Sequence, residues 1–139
     1  MSFDYNALVT DRTEADVIAR NTKGVYNFSD LNRVTAAMED IHARLTGCGY
    51  ATGYLSAGIT WTESSEPTYN QMERYRTNVE KLRNALMMLN ETPETPESMA
   101  DLSWMKANNI EKILMDIDNA IIRMEQSRFY SAEIYSGEA

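Results

Sequence analysis

The chain has 139 residues, with 21 Asp/Glu against 13 Lys/Arg and a formal net charge of −8. That length allows one domain and no second independent core, and the acid excess leaves no basic face for phosphate backbones, which argues against nucleic acid and against an acidic membrane surface as partners. With Cys48 as the single cysteine no intrachain disulfide forms, no apolar run approaches the roughly 20 residues that span a bilayer, and the start Met1-Ser-Phe-Asp-Tyr5 lacks the basic and apolar regions of a signal peptide.

Residues 3–9 alternate large apolar side chains at Phe3, Tyr5, Ala7 and Val9, a weak strand pattern. Thr13-Glu-Ala-Asp16 reads as a capping box with Asp in place of Glu, opening a short helix that ends near Asn21 or Gly24. The first main helix is expected over about 27–47. Asn27 caps it, Asp30 takes the third helical position, Tyr26 staples onto Leu31, and Gly47 stands where a left-handed stop belongs. Its buried seam is Leu31, Val34, Met38, Ile41 and Leu45, an unbroken 3,4 spacing that puts all five on one face.

The connection 46–67 is too long for a simple bundle turn. Between Ala51 and Trp61 the odd positions are the greasier ones, a period-two pattern that predicts a minor β element over about 51–61. A lone strand is unstable in water, so the expected partner is 3–9, the C-terminal Ile134-Tyr135 stretch, or an edge on another subunit. The second main helix is predicted over about 68–90, with the capping box Thr68-Tyr-Asn-Gln71, the seam Met72, Tyr75, Val79, Leu82, Leu86 and Leu89, and Pro93 and Pro96 preventing continuation. The third spans about 103–128 behind Ser103, with the seam Ala107, Ile110, Leu114, Ile117, Ile121 and Met124. The fold class that follows is mainly α: one three-helix bundle domain with a short N-terminal helix, a minor β element and extended terminal segments.

Reactive chemistry has little support. Glu39-Asp-Ile-His42 has the Glu-x-x-His spacing of di-iron bundles, but such a site needs two of these motifs, and this chain has one histidine. Met38 and Ile41 take the seam, so Glu39 and His42 read as a solvated pair. Asp116, Asp118 and Glu111 read as a polar face. Cys48 has only His42 as a candidate base and reads as an incidental thiol at a helix end. The glycines at 47, 49, 53 and 58 fit no phosphate loop. No catalytic residue, metal ligand or cofactor is therefore expected, and the chain does not read as an enzyme. The aromatics outside the seams, Phe3, Tyr5, Tyr50, Tyr54, Trp61, Phe129, Tyr130 and Tyr135, are the candidate partner interface. The alternative is that the same segments fold back and cap their own bundle.

Several strings resemble one family of short proteins encoded among tail and baseplate genes of phages and prophages of Gram-positive gut bacteria. They are Leu8-Val-Thr-Asp-Arg-Thr-Glu-Ala-Asp-Val17, Val25-Tyr-Asn-Phe-Ser-Asp-Leu-Asn-Arg-Val34, Trp61-Thr-Glu63 with Pro67-Thr-Tyr-Asn-Gln-Met72, Asn78-Val79 with Leu82-Arg83, Ala107-Asn-Asn-Ile-Glu-Lys-Ile-Leu114, and Phe129-Tyr-Ser-Ala-Glu-Ile-Tyr-Ser-Gly-Glu138. Together they cover nearly the whole chain in order. Where family members carry a longer helical insertion after Thr-Asp-Arg-Thr, this chain passes straight to Asn21-Thr-Lys-Gly24. The resemblance implies a virion structural protein, a tail or baseplate component or adaptor made in the host bacterial cytoplasm. Its partners would be other phage structural proteins and further copies of itself. The alternative function is a small helical binding module, or a tail-assembly chaperone that leaves the finished particle.

Overall fold

The capping signals of the sequence become helix starts. The computed structural model describes residues 3–21, 23–56, 59–86, 91–100 and 102–137, with side chains to 127. Its helices are α1 (Glu14–Ala19), α2 (Phe28–Gly47), α3 (Tyr69–Ala85) and α4 (Trp104–Gly137), preceded by a 3-10 turn at Tyr5–Ala7. Reciprocal capping boxes form at Thr13/Asp16, Asn27/Asp30 and Thr68/Gln71. At α4 the Ser103 hydroxyl accepts from the Lys106 N–H at 3.2 Å.

Helix ends were less well marked. α2 closes not on Gly47 but on Gly49 (φ +91), where the Tyr50 N–H returns to the Leu45 carbonyl at 2.9 Å and that of Gly49 to Thr46 at 3.0 Å. This is a two-bond left-handed stop, and it needs the positive φ that only Gly49 supplies cheaply. α3 stops at Ala85, with Leu86 extended but still buried, while 87–90, including Leu89, lie outside the described residues. α4 runs through the expected stop near 128 to Gly137. Ile134 and Tyr135 therefore stand in a helix and offer no strand edge.

The three long helices pack against one another, and the three seams form the core. Val34, Ile41, Leu45, Val79, Leu82, Ile110, Leu114, Ile117 and Ile121 have no exposed surface. Cross-contacts fix the directions. Arg33 meets Glu111 and Arg44 meets Asp118, so α2 and α4 rise together. Tyr26, just before α2, bonds Tyr75, while farther along α3 the Arg83 side chain reaches the Thr92 carbonyl, and the Thr92 hydroxyl reaches Asp116 of α4. All three helices are thus parallel, which explains the long connections 48–68 and 86–103: each must carry the chain back the full length of the bundle.

The return segments are straps running against the helices. Strap 1 (3–13) passes Asp40 and Arg44, then Glu111, then Asn108. Strap 2 (50–61) passes His42, then Asn78, then Asn32. Strap 3 (91–102) passes Arg83, then Arg76.

No strand occurs among the described residues, and the predicted β element at 51–61 is corrected to strap 2. Its partners are helix side chains: Asn78 takes the Leu55 N–H at 3.2 Å and gives to the Leu55 carbonyl at 2.9 Å. Asn32 does the same for Trp61, both bonds at 2.8 Å. A side-chain amide carries one donor group and one acceptor, so it satisfies an extended residue as a neighbouring strand would. The alternation also fails. The even positions Thr52 and Tyr54 are buried and Leu55 is 56% exposed, opposite to the predicted phase, although Trp61 at the far end is buried as expected. Residues 3–9 are likewise not a strand: the Asp4 side chain caps the 3-10 turn instead.

Candidate functional site

The densest polar constellation lies where strap 1 crosses α2 and α4. Glu111, read from the sequence as part of a polar face, has no exposed surface, and Arg12 and Asp30 are 2% and 4% exposed. Glu111 Oε1 accepts from the Val9 N–H (2.9 Å) and Arg33 Nε (2.8 Å), and Oε2 from Arg12 Nη2 (2.6 Å) and Arg33 Nη2 (2.9 Å). Asp30 Oδ1 accepts from both arginines, at 3.2 and 2.5 Å, and its Oδ2 from the Asn27 N–H at 2.8 Å. Asn108 brackets the Arg12 backbone, donating to its carbonyl and accepting its N–H, both at 3.0 Å. The Arg12 guanidinium also lies over the Tyr26 ring, 5.5 Å from its centre.

Two guanidiniums thus face two carboxylates. Removing charges from water costs several kcal/mol per ion, and only balanced, hydrogen-bonded clusters recover it. Four donors fill the acceptor sites of Glu111, leaving no lone pair for a substrate. What this cluster does is hold strap 1 in register.

A second, shallower constellation joins Tyr5, Asp40, Arg44 and Asp118. Tyr5 donates to Asp40 at 2.7 Å, Arg44 donates to Asp118 at 2.7 Å, and the Arg44 guanidinium lies 5.6 Å from the Tyr5 ring centre. Asp118, also read as solvated, is 8% exposed, whereas Asp116 pairs with Lys112 one turn earlier and with Thr92. Burial, reinforced by Asp40, raises the Tyr5 hydroxyl far above its usual range. Burial and the negative charge of Glu39 push Tyr54 up to about 12. Burial likewise raises Tyr26 and Tyr75, whose hydroxyls bond each other. These shifts take all four phenols further from proton transfer at neutral pH.

The Glu39-x-x-His42 pair is drawn apart onto strap 2. His42 Nδ1 meets the Thr52 hydroxyl at 2.6 Å and Glu39 accepts from the Ser56 hydroxyl at 2.9 Å. Among the described residues no three His, Cys, Asp or Glu side chains converge as metal ligands, and no helix is long and apolar enough to cross a membrane.

The predicted interface aromatics divide. Tyr54 and Trp61 are buried against this chain's own helices, at 8% and 7% exposed. Phe3 and Tyr5 pack edge to face, partly buried, against the core. With Asp4, Asp40, Asp118, Ile122 and Glu125 they line an open groove of about 750 Å³. Tyr50 is exposed beside a second groove of about 490 Å³, lined also by Leu86, Ala120 and Met124. The side chains of Phe129, Tyr130 and Tyr135 lie outside the described residues, on the last turns of α4.

Sequence reasoning missed a different set. Val17, Ile18, Val25, Phe28, Tyr69 and Met105 are exposed, Ile18 by 76% and Tyr69 by 73%. Because the helices are parallel, Phe28, Tyr69 and Met105 open α2, α3 and α4 at one end of the bundle. α1 sits at that same end, the residues on either side of it tied down through Arg12 and Tyr26. Comparison with protein-family models, with curated proteins and with solved structures gave no match.

Proposed function

We propose that this chain is a phage virion structural protein, a tail or baseplate component or adaptor that works by protein–protein assembly and carries no catalytic role. The observation that carries the reading is the division of labour in the molecule. Its buried polar side chains are spent on holding straps to helices, while six of the nine exposed large apolar side chains among the described residues gather at the end of the bundle where the three helices begin. A rigid scaffold with an apolar end suits a part that is built into a larger object. The resemblance of strings along nearly the whole chain to tail-region proteins points to what that object is. On this reading the partners are other phage structural proteins and further copies of the chain, and its final location is the virion.

Mass spectrometry of particles purified from an induced lysogen tests the proposal. The expected result is this chain at a fixed copy number per particle. Its presence in the lysate but absence from particles would overturn the proposal in favour of an assembly chaperone.

A further inference from the structure

Strap 1 begins over the later turns of α2 and α4, beside the open groove of about 750 Å³. The groove lining sets four carboxylates, Asp4, Asp40, Asp118 and Glu125, against the one guanidinium of Arg44. That guanidinium is already engaged. Arg44 Nη1 lies 2.7 Å from Asp118 Oδ1 and 3.5 Å from Asp40 Oδ2, the oxygen that also accepts from Tyr5. The second oxygen of each, Asp40 Oδ1 and Asp118 Oδ2, takes no partner among the described residues. Asp118 is nevertheless only 8% exposed, and a carboxylate so far removed from water is costly unless its acceptor sites are filled. The groove is therefore short of donors. It also has an apolar side: Phe3 is partly buried against the core and Ile122 is 39% exposed.

We propose that this groove docks a basic segment of a different protein, a lysine or arginine side chain filling the open oxygens of Asp40 and Asp118 while an apolar neighbour covers Phe3 and Ile122. The proposal rests on the reading of the chain as an assembly component and gives the chemistry of one partner. Charge selects the occupant. A cation brings the donors that the two carboxylates lack, and such charge-assisted bonds are roughly twice as strong as neutral ones. A second copy is disfavoured, because the chain carries a net charge of −8 and like charges facing each other across an interface cost affinity. The apolar side selects this place over the other acidic stretch. On strap 3 the residues Glu91, Glu94 and Glu97 are all exposed to water, and the strap contains no aromatic residue.

Amide NMR titration of the full-length chain at low salt tests this with three short blocked peptides. One alternates lysine and leucine, one has glutamate in place of each lysine, and one is lysine alone. The lysine–leucine peptide is expected to saturate, with the largest shifts at residues 3–6, at Asp40 and at 122–125, and to bind more weakly as salt rises. The glutamate peptide should shift nothing, and the all-lysine peptide should bind more weakly than the first. Asp4→Asn with Glu125→Gln, both exposed, should weaken binding about fivefold. Glu94→Gln with Glu97→Gln should leave it unchanged.

No saturable shift, or shifts centred on 91–97, overturns the proposal. An all-lysine peptide that binds as tightly overturns it in favour of unspecific charge attraction. Shifts of the same residues with the concentration of the chain alone would place a second copy in the groove and overturn it too. The wild-type shift map decides the matter without any variant, so a variant that fails to fold does not blunt the test. Particle mass spectrometry decides the virion reading separately: a chain present in virions that ignores the basic peptide refutes only this docking site.

Discussion

Straps 1 and 2 flank the same helix, α2, and are held by different chemistry. Strap 1 is fixed by two guanidiniums against two buried carboxylates, with one amide, Asn108, on the backbone of Arg12. Strap 2 is fixed by two neutral amides, Asn32 and Asn78, which complete the backbone of Trp61 and Leu55. Strap 3 is a third case. Pro93 and Pro96 have no N–H to offer, so only carbonyls remain, and they are met by Arg83 at 2.8 Å and Arg76 at 3.5 Å. A neutral clamp satisfies its backbone pair locally and singly. A charged one depends on the balance of the whole cluster, so the two should respond very differently to loss of one member.

The largest effect is expected at Glu111. Glu111→Leu leaves Arg12 and Arg33 buried against Asp30 alone, and breaking a buried pair in this way costs about 3–5 kcal/mol. Chemical denaturation should show it as a lowered midpoint. The double variant Arg12→Met with Glu111→Leu restores one positive to one negative charge and should recover part of that loss. Simple loss of contacts would instead make the double variant worse.

Smaller losses follow from the amides. Asn32→Ala strands the N–H and carbonyl of Trp61, which is 7% exposed, and should cost about 2 kcal/mol. Asn78→Ala does the same to Leu55, which water can reach, and should cost about 1 kcal/mol in the same measurement.

Alkaline titration sharpens the comparison further. Tyr54 is held neutral in the fold up to about pH 12, against a usual value of 10.0. The stability it contributes is therefore complete below pH 10 and is lost as pH rises toward 12. Tyr54→Phe should flatten the decline of the melting temperature across that window, and Tyr5, raised in the same direction on strap 1, adds to the slope that remains. The smallest effect belongs to the exposed Lys23–Asp11 pair flanking α1, where Lys23→Ala should leave the melting temperature unchanged.

The apolar periodicity made the seams legible, and side-chain capping made the helix starts legible, because both are local patterns. What escaped was the polar interior. Glu111 lies four residues after Ala107 and three before Leu114, and Asn78 lies three after Tyr75 and four before Leu82. Those spacings place both on the buried side, but a carboxylate or amide there makes sense only once its partner is known. The partners, Arg12 and Leu55, are 99 and 23 residues away. The strand pattern at 51–61 misled for the same reason: it correctly marked extended backbone needing hydrogen bonds, but those came from helix side chains. Parallel packing had a signal in the long connections and none in the periodicity, and the exposed apolar end becomes visible only when the three helix starts are placed together.

Amide hydrogen exchange at Val9, Arg12, Leu55 and Trp61 in the monomeric protein tests most directly whether helix side chains hold the straps. None of these amides belongs to a helix or strand, yet each donates to a side chain of α2, α3 or α4. The account predicts that all four exchange far more slowly than neighbouring strap amides, and that Asn78→Ala releases Leu55 alone. Free exchange at all four while the helices stay protected would contradict it.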